Sequence, residues 1–179
     1  MSNSGVVSLE THQFALGQRH LVDANVWLEA FVPSDRVEHR RSAITFRAIR
    51  HARAAGSILL IAPLVLSEIN NAYLRRIWQR GHHTHPYKVT RDSEEFALPR
   101  ARAAHLVTQV LALGEVCQLA LTAASWASIG RRCAFPGLDF NDLVLVELCR
   151  HHDLTLITND ADFKGSGIPL LTANHKLLP

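Results

Sequence analysis

This 179-residue chain has only three cysteines, Cys117, Cys133 and Cys149, odd in number and far apart. It contains no Cys-x-x-Cys pair, which argues against both a disulfide framework and a zinc knuckle. No apolar run approaches the roughly 18 residues of a membrane-spanning helix. The start of the chain has no basic-then-apolar leader pattern, so the expected compartment is the cytoplasm. Internal repeats and linker-like stretches are missing as well. Lysine is scarce and occurs only at Lys88, Lys164 and Lys176.

The remaining composition is that of an ordinary globular chain, with 47% hydrophobic and 20% charged residues. The length suits one domain with a real core. The formal charge of +3 comes almost wholly from arginine. Arginine's planar fork can bond two phosphate oxygens at once, although a GC-rich coding sequence would give the same bias.

Residues 1–19 are weakly patterned and read as an irregular N-terminal extension, with 20–179 as a single domain. His20–Val22 predicts a first strand ending at Asp23. A helix over Ala24–Phe31 should follow and stop at Pro33. Ser34 and Asp35 would cap a long helix to about Ala55, closed by Gly56. Arg36, Arg40, Arg47 and Arg50 would form a stripe on that helix, a candidate for contact with a phosphate backbone. Ser57–Ala62 predicts a buried second strand, and Pro63 the first turn of a helix to about Arg80. Glu68 would share a face of that helix with Asn71 and Arg75.

Gly81–Asp92 reads as a solvated loop carrying His82, His83 and His85. Ser93–Leu113 reads as a helix, Val116–Leu121 as a third strand, and Ala123–Cys133 as a further helix. Asp142–His152 reads as a buried helix, Leu154–Thr158 as a fourth strand and Ile168–Thr172 as a fifth. Such alternation implies a central parallel sheet of about five strands with helices on both faces, a three-layer α/β sandwich.

This frame gives scattered acids a common address. Asp23 follows the first strand and Asp160 the fourth. Asp142 heads the buried helix that feeds the fourth strand, and Glu68 lies in the helix after the second. Strand C-terminal ends and the helix starts that follow them lie at one edge of a doubly wound sheet. Carboxylates meeting there repel one another and raise each other's pKa values. A hard divalent cation relieves this, and all-oxygen ligation favours Mg²⁺ or Mn²⁺ over zinc. Each acid also has an ordinary reading. Asp23 and Asp142 could cap helices, Asp160 and Asp162 could be turn residues, and Glu68 could be surface charge.

Four motifs carry a resemblance to a known family. They are Asp23-Ala24-Asn25, Leu66-Ser67-Glu68-Ile69, Phe140-Asn141-Asp142, and Thr158-Asn159-Asp160-Ala161-Asp162-Phe163. Together they resemble the PIN-domain family, and in particular its VapC-like toxin ribonuclease branch. The similarity runs from about Leu21 to Thr172. It implies a PIN-like three-layer sandwich and a Mg²⁺- or Mn²⁺-dependent endoribonuclease. Asp23, Glu68, Asp142 and Asp160 would be metal ligands and catalytic residues, with Asp162 as an outer ligand. Asn25 and Thr158 would support them by hydrogen bonds. Arg36, Arg40, Arg47, Arg50 and Arg75 would contact RNA. The partners implied are RNA, a cognate antitoxin and a second copy of the chain.

The sequence departs from the family in two ways. The chain is longer than compact toxin-like members, and Leu143 stands where a small residue is usual.

Two other functions compete. A catalytically silent RNA-binding or regulatory PIN-like module would not need all four acids. A phosphohydrolase acting on small esters would be expected to show an Asp-x-Asp-x-Thr or Gly-x-x-x-x-Gly-Lys motif, and neither is present.

Overall fold

The central strands are built mainly of side chains that avoid water. Leu21, Val22, Leu59, Leu60, Ile61, Leu156 and Ile157 are all at most 4% exposed. Consecutive strand residues point to opposite faces, so burial of every one of them requires cover on both sides. The computed structural model, which describes residues 5–32, 39–81 and 84–179, has this arrangement. Its elements are β1 (Val6–Ser8), β2 (Arg19–Val22), α1 (Ala24–Phe31), α2 (His39–Ala54), β3 (Ile58–Ile61), α3 (Pro63–Arg80), α4 (Tyr87–Arg91), α5 (Ala97–Leu113), β4 (Glu115–Val116), α6 (Ala123–Arg132), α7 (Phe140–His152), β5 (Thr155–Ile157) and β6 (Leu170–Thr172).

The strands form one sheet in the order β1-β6-β5-β2-β3-β4. Every pairing is parallel. β2 is central, with Leu21 aligned to Leu60 on one side and to Leu156 on the other. From β2 the chain moves outward through β3 to β4, then returns to β5 on the opposite side. The order therefore reverses between β2 and β5, where a crevice opens beyond the strand ends.

The sheet has six strands, one more than the sequence suggests. The addition is β1, in a segment expected to be irregular. Val6–Ser8 pairs with Leu170–Thr172 at the sheet edge. A three-residue strand has too little pattern to read locally, and it is defined here by the partner it finds. The third predicted strand shrinks in the opposite sense. Only Glu115 and Val116 pair with β3, while Leu119 and Leu121 leave the sheet to line an apolar cleft with Trp126.

Other boundaries shift for local reasons. The expected 81–92 loop contains α4, whose Thr90 hydroxyl donates to the His85 and Pro86 carbonyls. Tyr87 anchors that helix against Trp78, with ring centroids 5.8 Å apart. The buried helix begins at Phe140, not Asp142, because Asp139 is its N-cap. The cap predicted at Ser34 and Asp35, together with Pro33, Arg36, Val37, His82 and His83, lies outside the described residues. Gly56 closes α2 at φ +73°, a conformation that favours glycine.

Candidate functional site

Asp23 is the N-cap of α1, its Oδ1 accepting from the Ala24 N–H at 2.6 Å. It sits one residue past β2, and its own N–H donates to the Ile157 carbonyl at 3.0 Å, continuing the β2–β5 ladder. The side chain is buried, only 4% exposed. Its second oxygen is also held, since Thr158 Oγ1 donates to Oδ2 at 2.7 Å. Asn25 Nδ2 donates to the same oxygen. Thr158 Oγ1 also accepts from the Asp160 N–H at 3.1 Å. One hydroxyl thus ties the acid after β2 to the acid after β5. Asp160 in turn caps the short turn Ala161–Phe163, accepting from the Asp162 N–H.

Asp142 comes from α7. Its N–H donates to Asp139 Oδ1 at 2.9 Å, and its Oδ2 accepts from the Asp139 N–H at 3.1 Å, a reciprocal capping box. The ordinary reading of Asp142 as the cap itself is thus corrected, since it occupies the third helical position. Glu68 is half-buried on α3.

Electrostatics brings these acids together. Burial pushes Asp23 up to about 7, with the charges of Glu68 and Asp160 adding to the rise and the Thr158 hydrogen bond opposing it. Asp142 is pushed up to about 7, first by burial and then by Asp139, Asp23 and Asp160. Glu68 is raised by burial and by Asp142, Asp139 and Asp160, while a hydrogen bond from Asn141 opposes the rise. Among the described residues, no lysine or arginine forms an ion pair with Asp23, Glu68, Asp142 or Asp160. Among the described residues, therefore, no basic ion-pair partner compensates their repulsion. The carboxylates are neighbours without forming a closed cage. Among the described residues, no three His, Cys, Asp or Glu side chains are gathered tightly enough to grip one ion.

The remaining candidates divide. Asn25 and Thr158 lie where the sequence suggested, bonded to Asp23 and to each other. Asp162 is exposed and is not among the main charges acting on the other acids. Arg40, Arg47 and Arg50 are exposed on α2, with Arg50 lying over the Phe46 ring and Arg40 paired loosely with Glu10. Arg75 lies over the Tyr87 ring, 5.2 Å from its centroid.

The motif reading assigned no role to three residues that matter here. Asp139 and Asn141 act on Asp142 and Glu68, and the Asp-x-x-Asp spacing of a capping box was the available signal for Asp139. Asn159 had none. It is 5% exposed, and its hydrogen-bonding capacity is used all round. Nδ2 donates to Glu29 Oε2 at 2.7 Å and to Thr45 Oγ1 at 3.1 Å. Oδ1 accepts from the Ala173 N–H and from Thr172 Oγ1. The backbone N–H donates to Asn25 Oδ1, and the carbonyl accepts from Asn174 Nδ2. Asn159 therefore links α1, α2, β6 and the acid site.

No curated protein is similar enough to the chain to count as a match. Solved structures share its fold at low identity. VapBC2 from Rickettsia felis, crystallised bound to a DNA fragment from their promoter, is 14% identical, with a TM-score of 0.53 over 86% of this chain and 97% of that one. PAE2754 from Pyrobaculum aerophilum is 18% identical, with a TM-score of 0.50 over 86% of this chain and 89% of that one. The profile of the PIN domain family matches residues 20–167, which begin at the first residues of β2 and run past the Asp160 turn. With most of its length covered by that profile and its acids at the switch point of a parallel sheet, the chain belongs to the PIN domain family.

Proposed function

We propose that this protein is a divalent-metal-dependent endoribonuclease and the toxin component of a toxin–antitoxin pair. The observation that carries the reading is the uncompensated acid cluster. Asp23, Glu68, Asp142 and Asp160 come from separate elements; burial and neighbouring acids, Asp160 among them, raise Asp23, Glu68 and Asp142, with no basic ion-pair partner among the described residues. Membership of the PIN family supports nuclease chemistry in general. The fold shared with VapBC2 supports an antitoxin partner.

The residues present suit Mg²⁺ or Mn²⁺. The donors are all carboxylate oxygens, which hard cations prefer, and no thiolate or imidazole among them would favour zinc. When bound, such an ion supplies charge neutralisation at the scissile phosphate and activation of water. Asp23, Glu68, Asp142 and Asp160 would hold it, with Asp162 as an outer member.

The chain's own residues supply the orientation. Thr158 and Asn25 fix one oxygen of Asp23, and the Ala24 N–H fixes the other. The Asp139 N–H orients Asp142. Asn141 steadies Glu68. Held this way, the oxygens of Asp23 and Asp142 are already oriented, and drawing the acids closer together is the movement left for an arriving dication. The same reading includes a homodimer, as the family resemblance implies, to be tested by sedimentation.

An RNA-cleavage assay in Mg²⁺ or Mn²⁺ tests the reading, with wild type compared against Asp142→Asn and Glu68→Gln. Both substitutions keep the side-chain volume and remove a ligand charge. Cleavage should fall by about a hundredfold or more, in line with losing a group that stabilises transition-state charge. Wild-type rates in both folded variants would sink the assignment.

A further inference from the structure

A second site adjoins the acids. A cleft of about 540 Å³ opens between the start of α2 and the turn after β6. Its walls carry Arg40 and Arg41 from α2, His175 and Lys176 from the turn, and Ala161, the residue directly after Asp160. Among the described residues, Glu10 is the only acid in the lining. The cleft thus shares a wall with the acid site and has the opposite charge.

Resting on the nuclease reading, we propose that this cleft seats the phosphodiester backbone of the RNA strand beside the bond to be cut. A polyanion approaching Asp23, Glu68, Asp139, Asp142 and Asp160 is repelled, so it needs fixed cations close by. The cleft has them on two opposed walls, which suits successive phosphates of a strand better than one isolated anion. Arg40 can be released at little cost. Its pair with Glu10 is loose at 3.8 Å, with the two side chains 84% and 49% exposed. Lys176 is exposed and forms no ion pair among the described residues. Arg41 has a different role. It grips the buried Glu29 through two nitrogens and so holds its wall in place.

The cleft is also built rigidly. Both walls are pinned to Asn159, the α2 wall through Glu29 and Thr45, and the other through Ala173 and Asn174. Asn174 Oδ1 further accepts from the Lys176 N–H, which sets the turn that carries His175 and Lys176. Because Asn159 also borders Asp160, the backbone that carries the cations keeps its place relative to the acids. That is what a strand threaded through both sites requires.

The test measures binding without cleavage. Full-length wild type in chelator is titrated against a short fluorescein-labelled single-stranded RNA at several salt concentrations. Arg40→Gln/Lys176→Gln is compared with Arg102→Gln/Arg131→Gln, which removes two exposed charges outside the cleft. The cleft variant should bind about tenfold or more weakly, and its log–log salt slope should fall by about 1.4, the loss of two single-strand phosphate contacts. The control should stay within about twofold of wild type, and thermal melts should show both variants folded. In metal, the cleft variant should raise KM with kcat little changed.

An unchanged salt slope in the cleft variant, or an equal loss in the control, overturns the proposal. So does cleft-dependent binding of an acidic peptide in place of RNA, which would assign the cleft to a protein partner. The two readings fail separately. Cleft-dependent RNA binding without cleavage under any metal would sink the nuclease and spare the cleft. Cleavage at wild-type KM in the cleft variant would do the reverse.

Discussion

Asp23 is the residue on which the site turns, and its chemistry follows from where the chain puts it. A carboxylate at the buried end of β2 loses water and is pushed up to about 7. Between its ordinary 3.8 and about 7, the folded metal-free protein keeps a proton that the unfolded chain releases. The stabilisation from this group is therefore complete below the unfolded value and is lost as pH rises through the folded one. His20 acts in the opposite sense. Burial drives it down to about 4, so its contribution is lost as pH falls from 6.5 towards 4. Among the described residues, neither of its ring nitrogens has a hydrogen-bond partner.

Comparing wild type with Asp23→Asn in chelator cancels the histidine. Urea melts should show the stability difference moving in the variant's favour as pH rises from about 4 to about 7. The total change should be on the order of 1 kcal/mol or more. A difference that stays flat with pH would show that Asp23 titrates normally.

At the scale of elements, α7 shows how one cap serves both fold and site. The Asp139 carboxylate satisfies an amide at the helix start, and its charge also raises Asp142 and Glu68. Asp139→Ala should cost about 1 kcal/mol in urea unfolding, the usual penalty for a lost cap. Asp139→Asn keeps the acceptor and should recover most of that stability. An alanine variant as stable as wild type would remove the capping box from the account.

Patterning with a strong period was legible at this scale. α1, α3 and β3 lie where the Ala24–Phe31 segment, Pro63 and the Ser57–Ala62 run suggested. Short or partner-dependent pieces were not legible. β1 has three residues and depends on the free edge of β6. α4 depends on Thr90 and on the Tyr87–Trp78 contact, neither of which leaves a periodic trace.

For the molecule as a whole, the sheet order decides where the acids gather. The reversal between β2 and β5 sets Asp23 beside Thr158 and Asp160, although they are more than a hundred residues apart in sequence. A dication that binds the folded site and not the unfolded chain must stabilise the protein. At a hundredfold excess over Kd, Mg²⁺ or Mn²⁺ should add about 2.7 kcal/mol. For a chain of this size that is a rise of roughly 5–10 °C in Tm. The rise should be much smaller in Asp142→Asn. An unchanged wild-type melt in saturating metal would count against an ion site.

Sequence alone singled out Asp23, Glu68, Asp142 and Asp160 as candidates, with Asn25 and Thr158 to support them, and carried the α/β alternation. Each of these rests on local pattern, in strand ends, helix starts and short motifs. The sixth strand, the part played by Asp139, the hub at Asn159 and the basic cleft beside Ala161 emerged only in three dimensions. They depend on which distant segments meet. Asn159 draws on residues from Asn25 to Asn174, and no stretch of chain contains the partners that make a buried amide, or a pair of facing cations, more than an ordinary polar residue.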